Sequence, residues 1–155
     1  MEFVELTTED VRPLRTRVLR PHFDEGELAE FDGDDDEQTK HYGLVDDSAE
    51  PVAVVTYLRQ EAPDGIGGPA VRLRGMAVAE DRRREGLGRR LLDSSLSRLA
   101  VSQPDLEVVW CNARTSAQSF YEKHGFRTHG EVFDVPEIGP HVVMYREMPR
   151  ALAGP

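Results

Sequence analysis

A cluster of arginines and glycines near the middle of the chain has the composition of an anion-binding loop. Five arginines fall within residues 82–90 of a chain whose formal net charge is −10, and Gly86 and Gly88 lie between them. Glycine lets a backbone close on a ligand where a Cβ atom would collide, and the first amides of a helix have no partners inside the helix. These residue types favour a phosphate-bearing ligand over the simpler alternative, a solvated basic turn.

Two common phosphate loops do not fit this segment. The dinucleotide-binding pattern requires a third glycine three residues after Gly88, where this chain has Leu91. The nucleoside-triphosphate loop requires a Gly-Lys-Ser/Thr sequence, and the segment contains no lysine. The pattern that does fit is R-x-x-G-x-G, which runs from Arg83 to Gly88.

Apolar periodicity places the loop between a strand and a helix. Residues 71–78 have the alternating and then continuous apolar character of a buried strand, partly broken at Gly75. A helical stripe follows the loop and is formed by Leu92, Leu96 and Leu99. The ligand would therefore meet the positive end of a helix.

The residues before this segment predict a capped helix and a group of strands. Thr7 and Asp10 have the spacing of a helix start, and the helix is expected to end near Pro21. Three strands are predicted, at residues 3–6, 41–45 and 52–58.

The residues after the segment predict a second short helix between strands. Thr115 and Gln118 have the spacing of a capping box, and Gly125 is expected to end the helix in a left-handed conformation. Three strands are predicted here, at residues 106–112, 126–135 and 141–148. The order of elements predicts a mixed α/β sandwich around a mainly antiparallel sheet.

Residues 24–37 form the strongest charge run of the chain. Nine of these fourteen residues are acidic and none is basic. Like charges repel one another, which is typical of a solvated and loosely ordered surface segment. The functional alternative is that the segment forms a wall of an acceptor pocket.

Length and composition restrict the class of protein. The 155 residues suit a single domain, 1–155, with a core of its own. No apolar run approaches the roughly 20 residues of a membrane span, and the N-terminus lacks the pattern of a signal peptide, so we expect no membrane partner. The single cysteine, Cys111, excludes an internal disulfide and fits a reducing cytoplasm. The acidic balance argues against a nucleic-acid partner and favours cationic acceptors.

Cys111 and the histidines suggest two further chemistries that the sequence does not support. A nucleophilic Cys111 needs a histidine partner, but nothing in the sequence places His124 or His141 beside it. A lone cysteine is commonly a small buried apolar residue. His124 and His129 do not have the spacing of zinc ligands. We therefore expect neither a covalent enzyme intermediate nor a metal.

A second motif lies downstream of the loop and, with it, resembles a known family. A predicted strand ends in Asn112 and is followed by the pattern A-x-x-F-Y-x-x-x-G-F, formed by Ala117, Phe120, Tyr121, Gly125 and Phe126. This motif and R-x-x-G-x-G, in this order, resemble the Gcn5-related N-acetyltransferases (the GNAT family). The resemblance covers residues 71–148, and the earlier part of the chain matches only in pattern.

The resemblance implies a fold and a donor site. The fold is GNAT-like, with a mainly antiparallel twisted sheet of about six or seven strands flanked by helices and a splayed central strand pair. The pantetheine arm of acetyl-coenzyme A would enter the splay, and its diphosphate would lie on the loop. The implied cofactor-binding residues are Met76, Ala77, Val78, Arg83, Arg84, Gly86, Leu87, Gly88, Arg89 and Asn112.

The resemblance also implies catalytic roles. Tyr121 would be the general acid that protonates the departing thiolate, because a phenol stays protonated at neutral pH; the alternative is a core tyrosine. A backbone amide near Val78 would stabilise the developing oxyanion. The base is open, because Arg72 stands near the position where some members carry a glutamate. His141 or a chain of water molecules could serve instead, and the simpler interpretation of His141 is a surface or structural histidine.

These observations predict an acetyl-coenzyme A-dependent N-acetyltransferase that acts by direct attack in a ternary complex. The acceptor is expected to be a primary amine of a small molecule or peptide, and the protein to be a monomer or homodimer. An alternative of a different class is a non-catalytic acyl-coenzyme A-binding module that keeps the loop glycines and lacks a productive base.

Overall fold

Seven strands and three α-helices alternate along the part of the chain that the structure, a computed structural model, describes: residues 1–24, 26–48 and 50–150. Residues 151–155 of the predicted domain and Glu25 of the acidic segment lie outside the described residues. The elements are β1 (Glu2–Leu6), α1 (Thr8–Leu19), β2 (Lys40–Val45), β3 (Ala53–Arg59), β4 (Ala70–Val78), α2 (Leu87–Ser102), β5 (Val108–Arg114), α3 (Gln118–Lys123), β6 (Arg127–Val135) and β7 (Gly139–Glu147).

The strands form one sheet that is antiparallel except at its centre. The strand order is β1-β2-β3-β4-β5-β7-β6, and only β4 and β5 run parallel among the described strands. Their pairing covers Ala70–Arg72 against Val108–Trp110 and stops there, although β4 continues to Val78 and β5 to Arg114. The predicted fold class, including the splayed central strand pair, is confirmed.

The two faces of the sheet are covered differently. On one face, alternate residues of β4 and β5 such as Leu73 and Cys111 pack in the main core with the leucines of α2 and with Tyr121 of α3. On the other face, α1 packs over the first half of the sheet, where Val11 and Leu14 contact Val54. None of the described helices packs over β5 and β7 on this second face, where Ala62 and Ile66 of the loop between β3 and β4 pack in a cluster with Trp110. No described helix is long and apolar enough to cross a membrane.

The helix ends follow local sequence at three of four predicted positions, and α1 ends at Leu19, near the predicted Pro21. The Thr7 hydroxyl caps α1 by accepting a hydrogen bond from the Asp10 amide, and the Asp10 carboxylate accepts a hydrogen bond from the Thr7 amide. Gly125 ends α3 with φ +86°. The predicted capping box at Thr115 is wrong: residues Thr115–Ala117 form a 3-10 turn, and α3 begins after it at Gln118 without a side-chain cap. Thr115 lies inside the turn and cannot cap a helix that starts three residues later.

A β-bulge at Gly75 bends the central strand. The register between β3 and β4 shifts by one residue between Val54 and Thr56, so that Val55 lies opposite two residues of β4. Gly75 has φ +64°, and a Cβ atom there would lie 2.7 Å from the Cδ atom of Arg15. The bulge lies just beyond the last β4–β5 pair, and bulges bend and twist the strand that carries them. It therefore accounts for the divergence of β4 from β5.

Candidate active site

A cleft of about 790 Å³ lies where the two central strands diverge. Both splayed strands contribute to its walls, as do the N-terminus of α3, the loop between α1 and β2, and the turn between β6 and β7. The residues on the two strands are Arg72, Leu73, Arg74, Gly75, Met76, Cys111, Asn112, Ala113 and Arg114. The splay thus opens into a single space large enough for the reacting ends of two molecules.

The arginine–glycine loop connects β4 to the start of α2. Arg84 and Gly86 both have left-handed backbones, with φ +71° and +74°. Gly86 is the N-cap of α2 and provides no side-chain cap, so the first amides of the helix are not capped by a side chain. Leu87 is buried while Arg83, Arg84 and Arg89 are exposed, which directs the amides and the arginines of this loop to solvent.

The five arginines of the loop have different surroundings. Arg82 is bound by Glu85 and Asp46, and Arg90 donates to the Met1 carbonyl oxygen. Arg89 has only a 3.8 Å ion pair with Asp93. Arg83 and Arg84 have no ion pair within the described chain, so they are the cations of the loop that remain available to an anion.

A side chain at Gly88 would crowd a neighbouring helix of the protein itself. A Cβ atom at this position would lie 3.3 Å from Cε1 of Phe120, which is closer than ordinary van der Waals contact. The first turn of α2 therefore packs directly on the aromatic ring of α3. The predicted role of Gly88 in letting the backbone approach a ligand stays a prediction, and this second reason for a glycine could not be derived from the loop sequence.

Tyr121 lies at the junction of the core and the cleft. Its side chain is 7% exposed and lines the cleft, and its ring packs against Phe120 and Phe126 with centroid distances of 5.2 Å. The hydroxyl has one weak partner, the Sδ atom of Met76 at 3.9 Å across the splay. Burial raises the pKa of the phenol well above its usual value, so the group keeps its proton at neutral pH.

Cys111 and Asn112 occupy opposite faces of β5. Cys111 is 2% exposed, and burial raises the pKa of its thiol to about 12. A thiol with that pKa is a poor nucleophile at neutral pH, and no hydrogen bond joins it to a histidine within the described residues. Asn112 is half-buried on the cleft wall, and its predicted role in cofactor binding stays a prediction.

His141 lies on β7 directly opposite Arg114 of β5 and lines the cleft. Its side chain is nearly buried, and Nδ1 lies 2.8 Å from the Gly139 carbonyl oxygen. A carbonyl only accepts, so Nδ1 carries the proton in the neutral ring and Nε2 has the free lone pair. Of the histidines singled out in the sequence, this is the one that the structure places on the cleft.

The acidic segment is a cleft wall rather than a purely solvated surface. Asp34 is 4% exposed and accepts bonds of 3.2 and 2.6 Å from Arg15, which is fully buried, and one of 3.2 Å from Arg74. Burial alone would raise the pKa of Asp34, but the two guanidinium groups outweigh it and lower the pKa. Phe31 stacks under the Arg15 guanidinium at 4.0 Å and faces the cleft.

The sequence carried a signal for this ion pair. Arg15 lies on the apolar stripe of α1, next to Leu14 and four residues after Val11. A charged residue on the buried face of a helix needs a counter-charge, and the nearest supply of carboxylates is the acidic run. The sequence did not indicate that Asp34, among the acidic residues of this run, would be the partner of Arg15.

This combination of fold and site defines a class of protein. A sheet that splits between two parallel strands, with a helix start and a basic loop beside the split, is the architecture of a GNAT-fold acyltransferase. The family model of the acetyltransferase (GNAT) domain matches residues 16–146, so the chain belongs to the GNAT acetyltransferase family. The chain is 34% identical over 148 residues to the Bacillus subtilis protein named uncharacterized N-acetyltransferase YitI, a match that covers 96% of this chain and 97% of that protein.

Solved structures share the fold over nearly the whole chain. An acyl-CoA N-acyltransferase from Pseudomonas aeruginosa has a TM-score of 0.72 at 24% identity, covering 94% of this chain and 99% of that one. An aminoglycoside 6'-N-acetyltransferase complexed with coenzyme A has a TM-score of 0.67 at 17% identity, covering 97% of this chain and 99% of that one. Such likeness concerns the fold. The predicted family, fold class and enzyme class are confirmed.

Proposed function

We propose that the protein transfers an acetyl group from acetyl-coenzyme A to a primary amine of a small molecule or peptide, by direct attack in a ternary complex. The observation that carries this proposal is the early end of the β4–β5 ladder at Arg72, which leaves the edge of β4 from Leu73 to Val78 unpaired with β5 and brings Leu73 to Met76 to the cleft. Backbone groups at such an edge need partners, and the two amides of a pantetheine arm supply them. A protein of the same fold is complexed with coenzyme A.

The donor site divides into two parts along the cleft. The pantetheine arm would pair with Met76, Ala77 and Val78, and its far end would contact Asn112. The diphosphate would lie on the amides that begin α2, where Gly86 leaves them uncapped by a side chain. Charge-assisted bonds from the exposed arginines of the loop would hold the phosphate oxygens.

The reaction requires one proton to leave the amine and one to reach the sulfur. The amine nitrogen attacks the thioester carbon, the carbon–sulfur bond breaks, and the thiolate takes the proton of the Tyr121 hydroxyl. His141 is the base that the cleft offers, because its Nε2 lone pair is free and its other nitrogen is fixed by the Gly139 carbonyl. A backbone amide near Val78 would stabilise the oxyanion.

The whole chain would act as one catalytic domain in the cytoplasm, as a monomer or homodimer. Support comes from the single sheet, which links β1 at one end of the chain to β7 at the other, and from the free thiol of Cys111.

Calorimetric titration with acetyl-coenzyme A tests the donor site. We expect saturable binding by the wild type and its loss in Gly88→Glu, since a carboxylate in the first turn of α2 repels the diphosphate. Gly67→Glu is the matched control, because a Cβ atom at Gly67 meets nothing within 4 Å and this glycine has no left-handed backbone. Absence of binding by the folded wild type would refute the proposal, and unchanged binding by Gly88→Glu would remove the loop from it.

Replacing Tyr121 by Phe tests catalysis separately from binding. General acid catalysis contributes roughly 10²- to 10⁴-fold, so we expect kcat to fall within that range while the affinity for acetyl-coenzyme A stays unchanged. Release of the coenzyme A thiol with an amine acceptor measures kcat, and calorimetry measures the affinity.

The matched control is Tyr57→Phe, in the same core. The Tyr57 hydroxyl lies 2.7 Å from the Ser95 hydroxyl, so this variant should lose about 1 kcal/mol of stability and keep its kcat. Wild-type kcat in Tyr121→Phe would show that Tyr121 is only a core residue. Saturable binding without transfer to any amine would instead favour the acyl-coenzyme A-binding module.

A further inference from the structure

The cleft is lined by charged side chains of both signs. Its lining includes five arginines and three carboxylates, which are Arg20, Arg59, Arg72, Arg74, Arg114, Glu30, Asp32 and Asp36. Two of the arginines are neutralised, because Asp105 binds Arg59 at 2.6 and 2.8 Å and Asp34 binds Arg74 at 3.2 Å. Within the described chain, Arg20, Arg72 and Arg114 have no ion pair.

Two of these unpaired arginines converge on one atom. Arg20, just after α1, and Arg114, at the end of β5, donate to the same carbonyl oxygen of Leu19 at 2.9 and 2.6 Å. The two guanidinium groups are therefore held close together with only a neutral acceptor between them. Burial lowers the pKa of both, and the charge of Arg114 lowers that of Arg20 further.

The third unpaired arginine lies on the central strand. Arg72 packs over the Trp110 ring at 5.3 Å and has a single 3.4 Å bond to the Gln60 side chain. Its Nε atom is buried without a partner. Burial and the nearby charge of Arg74 lower its pKa.

Strand alternation places these cations on the same face of the sheet. Arg72 lies directly opposite Trp110 in the β4–β5 ladder, and Arg114, four residues after Trp110, points to the same face and lies opposite His141. This is the face that α1 leaves uncovered beyond β4, and it adjoins the proposed base. Partly buried charges without counter-ions are costly, and a guanidinium matches the geometry of a carboxylate.

We propose that the amine acceptor also carries a carboxylate, which binds to the arginines of this face. The acceptor is then an amino acid, an ω-amino acid or a peptide with a free carboxyl end, and neither a simple alkylamine nor a polyamine. This inference rests on the proposed function. The phosphates of coenzyme A share the same anionic chemistry and are the other source that the experiment must separate.

Calorimetry with matched ligands tests the inference without turnover. The probes are the common α-amino acids, β-alanine, 5-aminopentanoate and glycylglycine, each paired with its carboxamide, and each is titrated into the protein saturated with coenzyme A. We expect at least one pair in which the carboxylate binds tenfold or more tightly, since charge-assisted bonds contribute a factor on the order of ten to a hundred.

Three variants assign the preference to residues. Arg72→Gln or Arg114→Gln should abolish the preference for the carboxylate and leave the affinity for coenzyme A unchanged. Arg59→Gln is the matched control, because this arginine lines the same cleft but is already neutralised by Asp105, and it should keep the preference.

The possible outcomes distinguish failure of the carboxylate site from failure of the proposed acetyl transfer. No preference in any pair, or an undiminished preference in both Arg72→Gln and Arg114→Gln, would overturn the carboxylate site while leaving acetyl transfer intact. A loss of coenzyme A affinity in these variants would also overturn it, because the anion would then be a phosphate of the donor. Absence of acetyl-coenzyme A binding by the wild type would instead refute the proposed function.

Discussion

Replacing Asp34 by Asn should destabilise the protein strongly, although Asp34 is one of nine acidic residues in a row of fourteen. Arg15 is 0% exposed and Asp34 is 4% exposed, so the variant leaves a buried guanidinium without its counter-charge. Removing one partner of a buried ion pair costs about 3–5 kcal/mol. We expect about 3 kcal/mol, at the lower end, because Asn keeps part of the hydrogen bonding; in a domain of this size this lowers the unfolding midpoint by roughly 6–12 °C.

Urea unfolding followed by the fluorescence of the single tryptophan, Trp110, measures this loss. The matched control is Asp35→Asn, whose side chain is exposed and should change the free energy of unfolding by less than about 0.5 kcal/mol. The pKa of Asp34 is lowered in the folded protein, so its stabilisation is present above the unfolded pKa of about 3.9 and is lost as the pH falls. The wild type and Asp34→Asn should therefore converge in acid. Equal stability of the two variants at pH 7 would refute the reasoning.

Two further perturbations follow from the central strands. Gly75→Ala should lower the free energy of unfolding by about 2–4 kcal/mol, because alanine is strained at φ +64° and its Cβ atom would overlap the Arg15 side chain. The control is Gly67→Ala, whose Cβ atom would lie in open space. Equal urea midpoints for the two variants would contradict the strain at Gly75. The pKa of Cys111 in the folded protein, about 12, is raised above that of a free thiol. The stabilisation that the buried, protonated thiol gives the folded state is therefore complete below the unfolded pKa and declines as the pH rises towards 12. The free energy of unfolding should therefore fall less steeply between pH 8.5 and 10 in Cys111→Ala than in the wild type, and parallel slopes would contradict this.

Those parts of the fold that depend on local pattern could be predicted from the sequence. The strand at residues 71–78 has its own apolar alternation, Thr7 and Asp10 cap each other across one turn, and Gly125 provides the left-handed residue that ends α3. The early end of the β4–β5 ladder could be expected only from resemblance to a family. Its physical origin, the bulge at Gly75, depends on where β3 pairs with β4, which no local window contains.

The candidate site also has a part that the sequence predicts and a part that it does not. The loop with Gly86 and Gly88 and the position of Tyr121 follow from motifs that are contiguous in the chain. The arginines of the cleft do not, because Arg20 and Arg114 are far apart in the sequence and meet only through the Leu19 carbonyl oxygen. A net charge of −10 averages the whole surface and gave no indication that arginines without an ion pair in the described chain would face one cleft.

The contact between Gly88 and Phe120 makes substitutions in the two sequence motifs depend on each other. A Cβ atom at position 88 would approach the aromatic ring to 3.3 Å, so a side chain there is accommodated only if the Phe120 ring shifts by a few tenths of an ångström or residue 120 becomes smaller. The two positions are therefore expected to vary together among descendants of this chain. A glycine that ligand binding alone would select is also maintained by the size of an aromatic residue on another helix.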